Sequence, residues 1–182
     1  HSYLPNIEKI YEKTDLTKEE FVNLKEEKGI NRFYIMHPLI TVDGELIFQG
    51  RGPLVKINFD GEIVWVNDDD IYHHSTNTDL DQNIYIPIHK VPLTKKVCEY
   101  VGVSECGKEF FLDDAISILN KNGEMIFSKS ISEIFIENEL AGRIFSQENF
   151  RRDPIHLNDI EPVLKSTEYF EKGDLFLSLR NY

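Results

Sequence analysis

A chain of 182 residues, of which 41% are hydrophobic, is long enough to bury one ordinary domain core or a large part of a bigger repeat architecture. Its formal net charge of -12 argues against a nucleic-acid backbone as the main partner, because proteins that bind nucleic acids carry clustered Lys and Arg. No apolar run approaches the roughly 18 residues of a membrane-spanning helix. The chain begins with His1 rather than Met, so we expect a missing N-terminus that could hold a signal peptide or a membrane anchor.

The first predicted element is helical. Thr17 stands three positions before Glu20 and forms a capping box ahead of spaced apolar residues. We therefore predict a helix near residues 18–27. It would belong to an N-terminal helical extension, residues 1–31, lying outside the main fold.

Residues 32–182 consist of short runs rich in Ile, Val, Phe and Tyr, separated by residues that favour tight turns. This pattern is typical of β-hairpins. It predicts hairpin turns at Asp43-Gly44, Asp60-Gly61, Asp81-Gln82 and Asn122-Gly123.

The hairpins repeat along the chain. The segment Leu54–Trp65 matches Ile116–Phe127 position for position, with Gly61 aligned on Gly123. Two hairpins make four antiparallel strands, and a recurring four-stranded unit indicates the blades of a β-propeller. We predict an all-β fold with about two and a half blades, the third starting at His156. A closed antiparallel sandwich or barrel is the alternative that the same strands could build.

Two segments interrupt this pattern. Residues 91–112 lengthen the second unit and carry both cysteines, Cys98 and Cys106, which could form a disulfide or remain two free thiols. No second cysteine pair or His-x-x-x-His spacing accompanies them, so no metal site is expected. Residues 130–150 suggest one or two helical turns.

Histidines occupy related positions in the repeat. His37 precedes the opening strand of the first unit, His73 and His74 precede that of the second, and His156 opens the third. The innermost strands of a propeller line its central channel, so these imidazoles should converge there. Any single histidine could be a structural residue bonded to a nearby carbonyl. The recurrence favours a functional role for His74 and His156.

Several stretches resemble the bacterial arylsulfotransferase (aryl-sulfate sulfotransferase) family. Asp153–Pro162 followed by Gly173–Asn181 is similar to the segment in which a His-x-Asn triplet opens one strand and Ser-x-Arg-Asn closes the next. Tyr72–Asn77 with Asp81–Ile86 is similar to that family's earlier His-His strand and the turn after it. The resemblance runs from about His37 to Tyr182.

The resemblance implies a six-bladed propeller that moves a sulfuryl group from a phenolic sulfate ester to a phenol, through a transiently sulfated histidine. By motif, His74, His156, Asn158 and Arg180 would bind the substrate, and less directly His73. The resemblance also implies no cofactor and a periplasmic or other extracytoplasmic location. The nucleophilic histidine is expected beyond residue 182, so this chain alone is expected to be inactive.

The residue types suit that chemistry independently of the family. Sulfuryl transfer needs fixed donors where negative charge develops, as phosphoryl transfer does. Arginine offers a planar charged fork, asparagine a neutral donor, and histidine a donor or a proton carrier. His156 and Asn158 are two apart in a predicted strand and should point to one side. A propeller that only binds ligands, or a purely structural repeat, is the alternative.

Overall fold

The computed structural model describes residues 5–15, 35–50, 52–103, 111–146 and 153–181. Within these ranges the chain is mostly β, with three antiparallel sheets and four short helices. The helix predicted near residues 18–27 lies outside the described residues and stays a prediction.

The first sheet has four strands in sequence order. They are β1 (Met36–Ile40), β2 (Leu46–Gln49), β3 (Leu54–Ile57) and β4 (Ile63–Asn67). The hairpins between β1 and β2 and between β3 and β4 turn at the predicted Asp-Gly pairs. Gly44 and Gly61 adopt the left-handed φ values of 80° and 83° that only glycine takes readily.

The second sheet has five strands because two short strands lie one after the other along one of its edges. The strands are β5 (Ile71–Tyr72), β6 (Asn77–Thr78), β7 (Ile84–His89), β8 (Asp114–Leu119) and β9 (Met125–Ser130). Both β5 and β6 pair with β7, which pairs with β8, and β8 pairs with β9. The turns at Asp81-Gln82 and Asn122-Gly123 also lie where the sequence predicts them. All four predicted hairpin turns are therefore confirmed.

The third sheet pairs β10 (Leu157–Pro162) with β11 (Leu175–Leu179). Every strand pairing in the described residues is antiparallel, as predicted. These strands form separate sheets rather than one closed barrel. The number of propeller blades stays a prediction.

Four helices accompany the sheets in the described part of the chain. They are α1 (Ile7–Glu12), α2 (Lys95–Val101) in the connection between β7 and β8, and α3 (Ile131–Glu137) and α4 (Gly142–Phe145) after β9. The helical turns predicted after β9 are thus confirmed. None of the helices that can be described is long and apolar enough to cross a membrane.

The helix α1 packs against the first sheet. Its Ile7 and Ile10 are buried with Phe48 of β2 and Ile57 of β3. The part of the N-terminal segment that is described therefore contributes to the core of that sheet. The boundary of the extension at residue 31 stays a prediction.

The second sheet is packed between the other two because its side chains alternate. Ile84, Ile86 and Ile88 of β7 share a core with Ile47 and Leu54 of the first sheet. Residues one position out of phase, Tyr85 of β7 and Ile116 of β8, pack against Leu157 and Ile160 of the third sheet. Successive residues of a strand point to opposite faces, so one strand supplies both cores.

Side chains of the first sheet form hydrogen bonds to the turn at Gly123 in the second sheet. Trp65 Nε1 donates to the carbonyl of Lys121 at 3.2 Å, and Asn67 Nδ2 donates to that of Gly123 at 2.7 Å. A Cβ built on Gly123 would lie 2.8 Å from Cδ2 of Trp65. The indole therefore leaves room for a glycine only.

We expect Gly123→Ala to lower the free energy of unfolding by about 2–4 kcal/mol in urea denaturation. About 1 kcal/mol comes from the left-handed backbone and the remainder from overpacking against Trp65. Gly44→Ala is the matched control, since Gly44 has a similar φ of 80° and nothing within 4 Å of its Cβ position. Equal losses in the two variants would contradict the proposed fit of Trp65 on Gly123.

Candidate functional site

Three histidines at related positions have left-handed backbones. The φ values are 43° for His37, 57° for His74 and 54° for His156. His37 is in β1, His74 lies between β5 and β6, and His156 directly precedes β10, so each lies in or next to the first strand of its sheet. This conformation costs a residue other than glycine roughly 1–2 kcal/mol. A strained conformation repeated at three such positions points to a functional site.

The histidine rings are close together. The ring centroid of His74 lies 4.8 Å from that of His156, 5.0 Å from His73 and 6.3 Å from His37. The backbone supports this arrangement, because the amide of Ser75 donates to the carbonyl of Asn158 at 3.2 Å. The structure thus brings His74 and His156 together across two sheets, as the repeat predicts.

Arg180 and Asp153 flank the imidazole of His156 on opposite sides. Asp153 Oδ2 pairs with Nδ1 of His156, and Nη1 of Arg180 lies 3.4 Å from Nε2. The backbone amide of Arg180 also donates to the carbonyl of His156 at 3.0 Å. In the tautomer that carries its proton on Nδ1, directed at the carboxylate, Nε2 can accept a hydrogen bond from the guanidinium. Arg180 is otherwise exposed, so its remaining donors can reach a ligand beside His156.

Asn158 lies at an irregular point of β10. Leu157 pairs with Leu179 and Asp159 with Ser178, so Asn158 is the extra residue of a β-bulge. Because His156 has a left-handed backbone and a bulge follows it, the alternation of side chains along a strand does not determine where the Asn158 side chain points. Asn158 is half-buried next to the segment that follows His74. A shared direction of its amide and the His156 ring therefore stays a prediction.

His73 lies behind His74 and contacts a buried carboxylate. Its Nε2 lies 3.3 Å from Oδ1 of Asp114, and the same oxygen lies 2.8 Å from Nδ1 of His89. The rings of His73 and His89 stack with their centroids 4.1 Å apart. Asp114 Oδ2 accepts from the backbone amide of Leu157 at 2.6 Å. One carboxylate of the second sheet is therefore bonded to the first residue of β10, directly after His156.

Burial and neighbouring groups together set the pKa values of His73, His74 and Asp114. Burial, with the neighbouring His73 and His156, lowers the pKa of His74 to about 4. Burial also lowers the pKa of His73, against the opposing effect of Asp114. For Asp114, burial alone would raise the pKa, but the imidazoles of His73 and His89 beside the carboxylate outweigh burial and hold the pKa well below its usual range. His74 is thus neutral at pH 7, and Arg180 supplies the permanent positive charge.

Sequence reasoning missed Asp114, His89 and Asp153. Asp153 stands three residues before His156, a local spacing that could have marked it as a partner of that ring. His89 and Asp114 are directly opposite each other in the pairing of β7 and β8. A polar pair at the matching ends of two apolar strands was the available signal.

Fold and site together define a protein of antiparallel β-sheets with a cluster of histidines and one arginine suited to an oxyanion. The chain belongs to the arylsulfotransferase family, whose model, described as Arylsulfotransferase (ASST), matches residues 8–182. The resemblance found in the motifs is thereby confirmed, and the family implies small aryl substrates. Comparisons with curated proteins and with solved structures gave no match.

Proposed function

We propose that this chain binds the sulfuryl group in an enzyme that transfers it from a phenolic sulfate ester to a phenol. The contact between Arg180 and His156, next to the ring of His74, carries this proposal. A permanent charge and two imidazoles converge there on one space. That combination suits a small oxyanion attached to an aromatic ring.

Each residue has a distinct role in the proposed site. Arg180 turns its guanidinium from Nε2 of His156 towards the sulfuryl oxygens and binds them through parallel N–H bonds. His74, being neutral, donates one N–H. Asn158 adds an amide donor from the bulge, and His73 supports the His74 ring from behind. His156, oriented by Asp153, can hold or release a proton at Nε2 as the phenolic oxygen leaves or attacks.

We further propose that the sheets are propeller blades and that transfer passes through a sulfated histidine. In the first step the bond between sulfur and the phenolic oxygen breaks, while a bond between sulfur and an imidazole nitrogen forms. In the second step the bond between sulfur and that nitrogen breaks, a bond between sulfur and the oxygen of the acceptor phenol forms, and the phenol's proton passes to Nε2 of His156. The division replaces one difficult displacement by two easier ones.

An extracytoplasmic location is part of the proposal. Cys98 is disulfide-bonded, and stable disulfides belong mainly to oxidising compartments. The other cysteine of the sequence, Cys106, lies outside the described residues.

Titration of the chain with 4-nitrophenyl sulfate by calorimetry tests the binding step. We expect Arg180→Lys to weaken the affinity about tenfold, the loss of one charged hydrogen bond of about 1.4 kcal/mol, because an ammonium keeps the charge but not the fork. Arg143→Lys is the matched control, since Arg143 is exposed on α4. Unchanged affinity in Arg180→Lys, or an equal loss in both variants, would contradict the assignment of Arg180.

A further inference from the structure

His73, His89 and Asp114 form a second cluster behind the proposed sulfuryl site. Each of the three residues offers one ligand atom, and these three atoms all lie within 4.8 Å of one another. The two distances from nitrogen to oxygen are 3.3 Å and 2.8 Å. Ligands bound to one zinc ion at about 2.0–2.2 Å are separated by roughly 2.8–3.5 Å. Both nitrogen–oxygen distances therefore fall in the range for ligands that share one metal ion.

The hydrogen bonds of His73 do not explain why it is buried there. The residue is only 8% exposed, and neither of its ring nitrogens makes a hydrogen bond of normal geometry. Its Nε2 is close to Oδ1 of Asp114, but His89 already bonds to that oxygen at 2.8 Å. Leaving a buried polar group unpaired is costly, and such a group calls for a ligand.

A hydrogen bond holds Asp114 in place, as is common for carboxylates that bind metal ions. The amide of Leu157 donates to Oδ2 at 2.6 Å and so fixes the carboxylate with Oδ1 directed at the two imidazoles. His89 keeps 22% of its side chain exposed, which leaves a route of access on that side. His73 and Asp114 are closed off on the other side, with side-chain exposures of 10% and 0%.

We propose that His73, His89 and Asp114 bind a divalent transition-metal ion such as Zn²⁺. Two imidazoles and one carboxylate suit zinc, whereas Ca²⁺ and Mg²⁺ require oxygen ligands. Three protein ligands leave a fourth position open. The ion would join the segment after β5 to the facing ends of β7 and β8. It would thereby fix the position of His74, which directly follows the ligand His73. The sequence analysis expected no metal site, because His73, His89 and Asp114 lie in separate segments and form no local metal-ligand spacing.

The test is calorimetric titration of the metal-free chain with ZnCl₂, in the absence of any aryl sulfate. We expect one Zn²⁺ per chain, and an affinity at least about tenfold lower in His89→Gln and in Asp114→Asn. Both replacements keep a hydrogen-bonding side chain of similar size, and circular dichroism checks that each variant is folded. His37→Asn is the matched control and should bind Zn²⁺ like the parent chain. Asparagine tolerates the left-handed backbone of that position, which lies outside the cluster.

The same titrations separate the other outcomes. Binding of Mg²⁺ or Ca²⁺ as tight as that of Zn²⁺ would overturn the proposal, and so would the absence of saturable Zn²⁺ binding. Equal affinities in the parent chain and in both cluster variants would place the ion elsewhere and would also overturn it. Because no aryl sulfate is present, failure here leaves the proposed sulfuryl site to be judged by its own titration.

Discussion

Replacing Asp114 with alanine should lower the free energy of unfolding by about 3–5 kcal/mol. The substitution removes the acceptor for the buried amide of Leu157 and the partner of two imidazoles. Each buried donor left without a partner costs about 1–3 kcal/mol. Urea denaturation in the presence of a chelator measures the loss without any contribution from bound metal.

Two comparisons show whether that loss comes from the carboxylate's contacts. Asp114→Asn keeps an amide oxygen for Leu157, so it should cost about half as much as the alanine variant. Asp60→Ala, in an exposed hairpin turn, should change stability by no more than about 0.5 kcal/mol. A loss below about 1 kcal/mol in Asp114→Ala would mean that the third sheet does not depend on this bond.

Replacing His156 with asparagine should weaken binding of 4-nitrophenyl sulfate about 10- to 100-fold. The variant removes the ring that contacts Arg180 and the proton carrier at Nε2, which together amount to about 1.4–2.8 kcal/mol. Asparagine is chosen because it adopts left-handed φ values more readily than alanine. Calorimetric titration measures the change.

His37→Asn is the control for that titration. His37 has the same type of backbone, but its ring is 6.3 Å from that of His74 and it has no arginine contact among the described residues. We expect a much smaller loss of affinity. A loss as large as that of His156→Asn would place the aryl sulfate nearer to the first sheet and would contradict the proposed site.

The hairpins could be predicted because their turns depend on local chemistry. An Asp-Gly or Asn-Gly pair supplies the left-handed residue that the turn needs, and alternating apolar residues on both sides fix the strands. The split of the edge strand into β5 and β6 was not predictable in this way. It follows from the histidine segment between them, whose conformation depends on contacts with residues far away in sequence.

The site residues that recur in the repeat could be predicted from the sequence. Those that meet only through the register of strand pairing could not. His74 and His156 stand at related places in two units, and this recurrence brought them together correctly. Asp114 contacts His73, His89 and Leu157 only because β7, β8 and β10 are adjacent in space. The direction of the Asn158 side chain stays a prediction, because the alternation from which it was inferred does not hold at a bulge.

The left-handed backbones of His74 and His156 bear on the rate at which a ligand binds. Their imidazoles are directed by backbone geometry that is set when the chain folds, so little ordering remains when an anion arrives. Association should then be a single concentration-dependent phase in stopped-flow traces, with no slower rearrangement after the encounter.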